Sequence, residues 1–383
     1  MTLNSKKRIL VFVDWFLPGK NAGGPIRSVA NIIERFSEDF DFQVVTSVFD
    51  FGSLKPYPNV EKDQWTTYNG IRVWYASKPL DVNLVSSFIQ SNIDVVYMNS
   101  LFSKEYTQLP LKVIRKTGFS GKVILAPRGM LGAGALAIKP TKKKVFLKVA
   151  RTLKWYSRVI WHASTDLEER EIRTHFGVGV KVVVAENLAS LPDFNAQIKI
   201  EKVVGEAEFV FVSRISIKKN LLFWIQQLPS IVAKKVIFHV IGPVEDEAYW
   251  KECVGQFEKL DSCFELKYHG SQTHDEVLRA LNKAHFFVLP TLHENYGHVV
   301  IEALSMGCPV LLSDNTPWGN LKDGNIGSDI PLSNTNLWRT ETQRLVDMTN
   351  ETYIESVEAC VEFANSKLTD KTIINKNKAL FGN

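Results

Sequence analysis

Residues 284–320, AHFFVLPTLHENYGHVVIEALSMGCPVLLSDNTPWGN, constrain the fold of this chain most. They read as strand, loop, helix, strand, loop. The apolar run 284–289 is stopped by Pro290, and a second run follows at 310–312. Between them Val299, Val300, Ala303 and Leu304 recur at helical spacing, and Gly307 followed by Pro309 ends the helix. Two strands joined by one helix predict a βαβ unit, so the sheet is parallel. Ligands of such sheets bind beyond the carboxyl ends of the strands. The polar loop 291–297 lies at that edge and opens onto a helix N-terminus, where backbone N–H groups favour an anion. Glu294 sits in the loop and Glu302 about one turn into the helix, so both can face one crevice. Carboxylates beside an anion site suit a ligand that also carries sugar hydroxyls.

The same alternation runs through all 383 residues, enough for two domains. The first opens with an apolar run at 8–13, a glycine-containing loop at 15–25 and a helix over 26–36 with Val29, Ile32, Ile33 and Phe36 on one face. Gly23 and Gly24 do not follow the GxGxxG spacing, so no dinucleotide fingerprint is present. Paired glycines at a helix start still let backbone approach a ligand closely; a plain tight turn is the alternative. Strands are expected at 43–48, 71–75, 95–98 and 122–126, with helices at 80–91 and 107–117. After a polar hinge at 191–203, the second domain opens with a strand at 208–212. Arg214 and Lys219 follow, two cations between a strand end and a helix, as a phosphate clamp requires. Strand 236–240, helix 245–260, strand 264–269 and helix 274–283 deliver the chain to residue 284, and helices at 352–367 and 368–380 close it.

Hydrophobic residues make up 45% and charged residues 23%, the balance of a globular protein with a sizeable core. Cys253, Cys263, Cys308 and Cys360 form no CxxC pair, which suits reduced thiols in a cytosol. The opening stretch is basic and then apolar, but the run 9–13 is too short for a signal peptide and Asp14 interrupts it. It is read as the first strand. No apolar run approaches the roughly 18 residues of a membrane span. His293, Glu294 and His298 resemble a zinc motif in composition, yet the two histidines lie five residues apart across a loop, where the helical motif needs four. No metal and no cofactor is expected.

Charge is unevenly placed. Residues 106–165 contain thirteen Lys or Arg and no Asp or Glu, whereas the chain as a whole is only +5. Within that segment, 142–161 interleaves Lys142, Lys143, Lys144, Lys148 and Arg151 with apolar residues and Trp155. A basic amphipathic helix of this kind suits an anionic membrane surface. A solvated helix with a buried apolar stripe is the alternative. No nucleic-acid-binding motif is present.

The stretch HENYGHVVIEALSMGCPVLLSD, with Glu302 eight residues after Glu294 and TPW further on, resembles the signature of the family 4 retaining glycosyltransferases of the GT-B fold. That resemblance implies two Rossmann-like parallel-sheet domains facing across a cleft: residues 1–190 for the acceptor, joined by a last helix at about 368–383, and 203–367 for the nucleotide-sugar. It implies that Arg214 and Lys219 grip the donor diphosphate, that Glu294 contacts donor-sugar hydroxyls and Glu302 the ribose. Backbone around Gly297, from Asn295, Tyr296, His298 and Val299, comes close to the donor, with Gly23 and Gly24 on the diphosphate side. PRGMLGAGALAIKPTKKK, residues 127–144, resembles the PRGxL region of bacterial exopolysaccharide transferases and makes Arg128 a candidate for an acceptor phosphate. Asn99 and Ser100 stand where relatives often carry a His, leaving Asn99 as a candidate hydroxyl contact. Glu186-Asn187-Leu188 replaces a frequent Pro-Asn-Gly. The implied activity is retaining transfer from a UDP- or GDP-sugar to a lipid-diphosphate-linked glycan in O-antigen or exopolysaccharide synthesis. The implied location is cytoplasmic, on the inner face of a bacterial membrane. An epimerase or phosphorylase of the same fold, or a non-catalytic membrane scaffold, are the competing readings.

Overall fold

The structure, a computed structural model, describes residues 6–137, 140–190 and 200–382. The hinge expected at 191–203 therefore lies largely outside the described residues. The chain divides into two compact units, Met1–Leu188 with Lys371–Asn383, and Ala189–Asp370.

The first unit is built on eight strands: β1 (Lys7–Val13), β2 (Phe40–Ser47), β3 (Trp65–Tyr68), β4 (Ile71–Ala76), β5 (Val95–Asn99), β6 (Lys122–Ala126), β7 (Ile160–Ala163) and β8 (Val182–Val184). Their order is β3-β4-β2-β1-β5-β6-β7-β8, parallel throughout except for the β3–β4 hairpin. β1 and β5 are buried on both faces, which is why they read as unbroken apolar runs. Helices α1 (Gly24–Phe36), α2 (Val82–Ile89), α3 (Leu109–Thr117), α4 (Ala133–Ala137), α5 (Pro140–Thr152) and α6 (Asp166–Phe176) connect them. One sheet face packs Leu10, Phe12 and Val45 against Phe88 of α2; the other packs Val11 and Val44 against Ile33 and Phe36 of α1.

The second unit holds β9 (Glu206–Val212), β10 (Lys235–Ile241), β11 (Phe264–Gly270), β12 (Phe286–Leu289), β13 (Val310–Ser313) and β14 (Gly327–Ile330), with α7 (Leu221–Ile225), α8 (Glu247–Phe257), α9 (His274–Lys283), α10 (His298–Ser305), α11 (Thr335–Val346) and α12 (Asn350–Leu368). The strand order β11-β10-β9-β12-β13-β14 is the doubly wound order of Rossmann folds. Chain direction across the sheet reverses between β9 and β12, so their carboxyl ends flank the switch point. α10 starts on Gly297 in the left-handed region, and Gly307 at φ 63 turns the chain after it into β13. Thr273 and Glu276 close a capping box on α9.

The last helix, α13 (Lys371–Phe381), belongs to the first unit. Phe381 is fully buried with its ring 5.8 Å from Phe40 and 5.3 Å from Tyr97, and Asn377 Nδ2 donates to the Glu186 carbonyl at 2.7 Å. Two parallel-sheet α/β domains are thus the fold that the sequence predicts. Details differ. β3, β14 and α11 were not anticipated. The basic helix expected over 142–161 stops at Thr152, because Lys154 turns through φ 50 and β7 must start at Ile160.

Candidate functional site

Three loops meet at the switch point of the second unit. The loop after β9 makes a short 3-10 turn, Ile217–Lys219, that presents Lys219. The loop after β12 carries Glu294, and the Lys219 ammonium donates to its carboxylate. Backbone holds the two loops in register: Leu292 N–H and Thr291 Oγ1 both donate to the Lys218 carbonyl, at 2.9 and 3.2 Å. Glu294 N–H donates at 2.9 Å to the Asn315 carbonyl, in the loop after β13. Arg214, just past β9, reaches Glu245 at 2.9 Å. Burial alone would raise the Glu294 pKa, but the Lys219 charge and hydrogen bond, with Lys218 and the Asn295 N–H, outweigh it and hold the carboxyl below its usual value. Lys218 is pushed down by burial and by its cationic neighbour Lys219. Lys218 and Lys219 are thus desolvated cations with Glu294 as their negative complement, and Arg214 has Glu245.

The residues after Glu294 lead into α10. Asn295 N–H donates to Glu294 Oε1 at 3.2 Å. Tyr296 and His298 are packed side chains, their rings 5.0 Å apart, with Trp318 behind Tyr296. Both are buried, and Val299 is half-buried. Gly297 cannot be replaced freely: its φ is 78, and a Cβ would lie 3.1 Å from the Glu294 side chain. Glu302 is buried, 3.8 Å from His274 Nδ1 at the start of α9. The sequence reading missed three participants: Glu245, His274 and Gly242. A Cβ on Gly242 would sit 2.0 Å from the Ser213 carbonyl, so this glycine lets β10 pass the Arg214 loop. A Gly at a strand's carboxyl end was the available signal.

In the first unit, Gly23 and Gly24 are exposed at the start of α1, Gly23 as its cap at φ 63. Asn99 ends β5 and Arg128 follows β6, and the two are bonded to each other. Arg128 Nε and Nη2 donate to Asn99 Oδ1 at 3.1 and 2.9 Å, Nη2 also to Tyr97 Oη at 2.6 Å, and Nη1 to Asn187 Oδ1. Four of the five guanidinium hydrogens are therefore committed inside the fold, a different arrangement from the open phosphate clamp that the sequence suggested. His162, read as structural, accepts from Tyr97 Oη and bonds the Ala185 carbonyl, both at 2.9 Å.

Asp14 stands at the carboxyl end of β1, beside β5, at the switch point of the first sheet. Ser103 Oγ donates to it at 2.8 Å. Burial pushes its pKa up to about 6; the Ser103 bond opposes this and Glu105 adds to it. A raised acid favours folding while it is protonated, and that contribution is lost as pH rises from its ordinary 3.8 through about 6. Asp14→Asn is therefore expected to be the more stable protein at pH 7.5, by up to about 3 kcal/mol, and equal to the natural one below pH 4. Thermal melts across pH check this, and identical curves at pH 7.5 refute it. An acid breaking an apolar strand at its carboxyl end was visible in the sequence.

The basic helix α5 presents two faces. Leu147 and Ala150 are buried, and Lys143 turns inward with them: its ammonium donates to the Ala135 carbonyl at 2.6 Å and lies 5.2 Å from the Phe102 ring. Trp155 packs on Phe146 at 5.8 Å, under Arg115. These two are not the outward residues that the sequence suggested, because the core claims their side of the helix. Lys142, Lys144, Lys148 and Arg151 are exposed, and so are the apolar Val145, Val149 and Leu153, spaced four residues apart. No helix among the described residues is long and apolar enough to cross a membrane.

Two doubly wound α/β units, the second with cations and carboxylates at its switch point, make up the two-domain architecture of the GT-B fold. Residues 206–346, essentially the whole second sheet, match the model of the family described as "Glycosyl transferases group 1". The chain resembles a sucrose-phosphate synthase from Thermosynechococcus elongatus (15% identity, 98% of both chains covered, TM-score 0.71). It also resembles Anabaena HepE in complex with UDP-glucose (17%, 97% and 98%, 0.67) and WaaG, a glycosyltransferase involved in lipopolysaccharide biosynthesis (12%, 97% and 98%, 0.61). No curated protein matches the sequence.

Proposed function

We propose that the protein moves a sugar from a UDP- or GDP-sugar, with retention of configuration, to a glycan acceptor carried on a lipid diphosphate. The observation that carries this reading is the Lys219–Glu294 pair at the switch point of the second sheet, with Arg214 on the same strand end. Lys219 and Arg214 take up the charge of the leaving diphosphate, assisted by the α10 N-terminus. Glu294 holds hydroxyls of the donor sugar and Glu302 those of the ribose; Gly23 and Gly24 offer backbone to the diphosphate. The bond from the sugar's anomeric carbon to the diphosphate oxygen breaks, and its electron pair stays on the diphosphate. The acceptor hydroxyl bonds the same face of that carbon and gives its proton to the departing phosphate oxygen. No metal or cofactor is part of the scheme.

A panel of nucleotide-sugars tests the donor assignment by thermal stabilisation. A donor at about 100 times its Kd adds about 2.7 kcal/mol of stability. UDP- or GDP-sugars are expected to stabilise the natural protein and not Lys219→Ala; a panel in which none acts removes the reading. HepE with UDP-glucose favours UDP first, and WaaG favours a surface glycan as product.

The exposed face of α5 supports a cytoplasmic protein held peripherally on an anionic membrane. Basic side chains flank an apolar stripe, and each contributes about 1 kcal/mol near such a surface. Lys142→Glu, Lys144→Glu and Lys148→Glu together are expected to lower binding to phosphatidylglycerol vesicles at least a hundredfold. Lys143→Ala, facing inward, leaves vesicle binding unchanged. Sedimentation that treats the two variants alike speaks against this surface.

A further inference from the structure

The first sheet carries a cavity of about 300 Å³ at the amino ends of its strands. Arg8, Asp41 and Arg72 are the second residues of β1, β2 and β4 and form its rim, whereas the transfer chemistry proposed above belongs to carboxyl ends. Its floor is Gln43, which lies opposite Leu10 of β1 and Arg72 of β4, with the apolar Val45 and Trp74 next along the same face. Gln43 is 5% exposed, and its side-chain amide bonds no described residue. The Trp74 indole N–H is buried and likewise has no partner. A buried indole N–H left unmet beside the Gln43 amide costs stability, and a site that binds a ligand is where such a cost is retained. Trp65, Trp74 and Phe88 form the wall, with ring centroids 4.9–5.8 Å apart.

The rim is cationic. Arg8 shares Asp41 loosely, at 3.8 Å. Arg72 lies 4.8 Å over the Trp65 ring and has no carboxylate partner among the described residues. A sugar ring offers C–H faces to indole walls, adjacent hydroxyls to an amide and an indole N–H, and, if it bears a carboxylate or phosphate, an anion to a guanidinium. The volume, at the small end of ligand pockets, fits one or two sugar units. We propose that this cavity binds an anionic sugar, separately from the transfer site.

Tryptophan fluorescence and calorimetry of the full chain test this, with digalacturonate, glucose 6-phosphate, neutral maltose and inorganic phosphate as probes. Saturable binding of digalacturonate or of glucose 6-phosphate is expected, and which of the two binds tells a uronate glycan from a sugar phosphate. Maltose and phosphate alone bind at least tenfold more weakly. Gln43→Leu removes the floor amide and adds an apolar side chain beside Leu10 and Val45, so it loses at least tenfold in affinity while Tm stays equal or rises. Arg72→Met, on the exposed rim, gives the same loss should Gln43→Leu fail to fold. Lys219→Ala keeps full affinity, so failure of the transfer reading leaves this result standing. No saturable binding, binding of phosphate alone as strong as of the sugars, or affinity untouched by both cavity variants overturns the proposal.

Discussion

Lys219→Ala is expected to lower turnover by roughly 10²–10³ while the protein still folds, the loss seen when one preorganised donor to a developing anion is removed. Two things fail together. The diphosphate loses its most desolvated cation, since the Lys219 side chain is only 11% exposed. Glu294, which burial drives toward protonation and Lys219 holds ionised, moves back up in pKa and is lost as an acceptor for sugar hydroxyls. Stability also falls, because a largely buried carboxylate is left with only Lys218 as a cation and the Asn295 N–H as a donor. The double variant Lys219→Ala, Glu294→Gln separates the effects: it regains much of the lost Tm and none of the activity. Arg214→Ala is the contrast. Its pair with Glu245 is a third exposed, so Tm changes little, yet turnover falls comparably. Initial rates and melts on the four proteins decide; transfer near the natural rate in both single variants removes Lys219 and Arg214 from the chemistry.

The second unit was the more legible half because its strands are buried on both sides. β12 is a continuous apolar run, β13 is one up to its last residue, β9 and β10 are mostly apolar, and each precedes a helix with a readable start or stop. β14, GSDI, sits at the sheet edge and alternates buried with half-buried residues, so four residues gave no pattern to read. β3, WTTY, is an edge strand for the same reason. Glu294 and Glu302 could be placed beside one crevice from local spacing alone. Their partners Lys219, in a short turn, and His274, at the start of α9, lie 75 and 28 residues away in the chain, and only the strand order brings those segments together.

In α5 the residue types were read correctly and the helical phase was not. The sequence offers two apolar stripes, Leu147 with Ala150, and Val145 with Val149 and Leu153. Either could have faced the sheet. Small Ala150 allows the helix to lie close, which takes Lys143 inward and leaves the branched residues outside. The internal bonding of Arg128 was hidden for another reason. An arginine after a strand reads as an anion site unless its partners are known, and these lie at Tyr97, Asn99 and Asn187, on other strand ends.

Those partners make Arg128→Met the variant expected to damage stability most. Tyr97, Asn99 and Asn187 are all less than 5% exposed, so removing the guanidinium strands the Asn99 and Asn187 side-chain oxygens where water does not reach them. Each unmet buried acceptor costs about 1–3 kcal/mol, and the pair together roughly 3–5. For a unit of this size that is a Tm lower by roughly 10 °C. Arg128→Lys keeps the charge but not the fork, and recovers only a minor part of the loss. His162 supplies a second readout. Burial first, and the Arg128 charge next, depress its pKa to about 3, so the folded protein refuses a proton that the unfolded chain accepts near 6.5. Stability therefore falls as pH drops below 6.5, and without Arg128 that fall levels off at a higher pH. A phosphate clamp behaves differently. If Arg128→Met left Tm and its pH slope unchanged and raised only the acceptor KM, the guanidinium would be serving the substrate; a steep loss of Tm with KM unchanged makes it the tie that holds the carboxyl ends of β5 and β6 to the chain after β8.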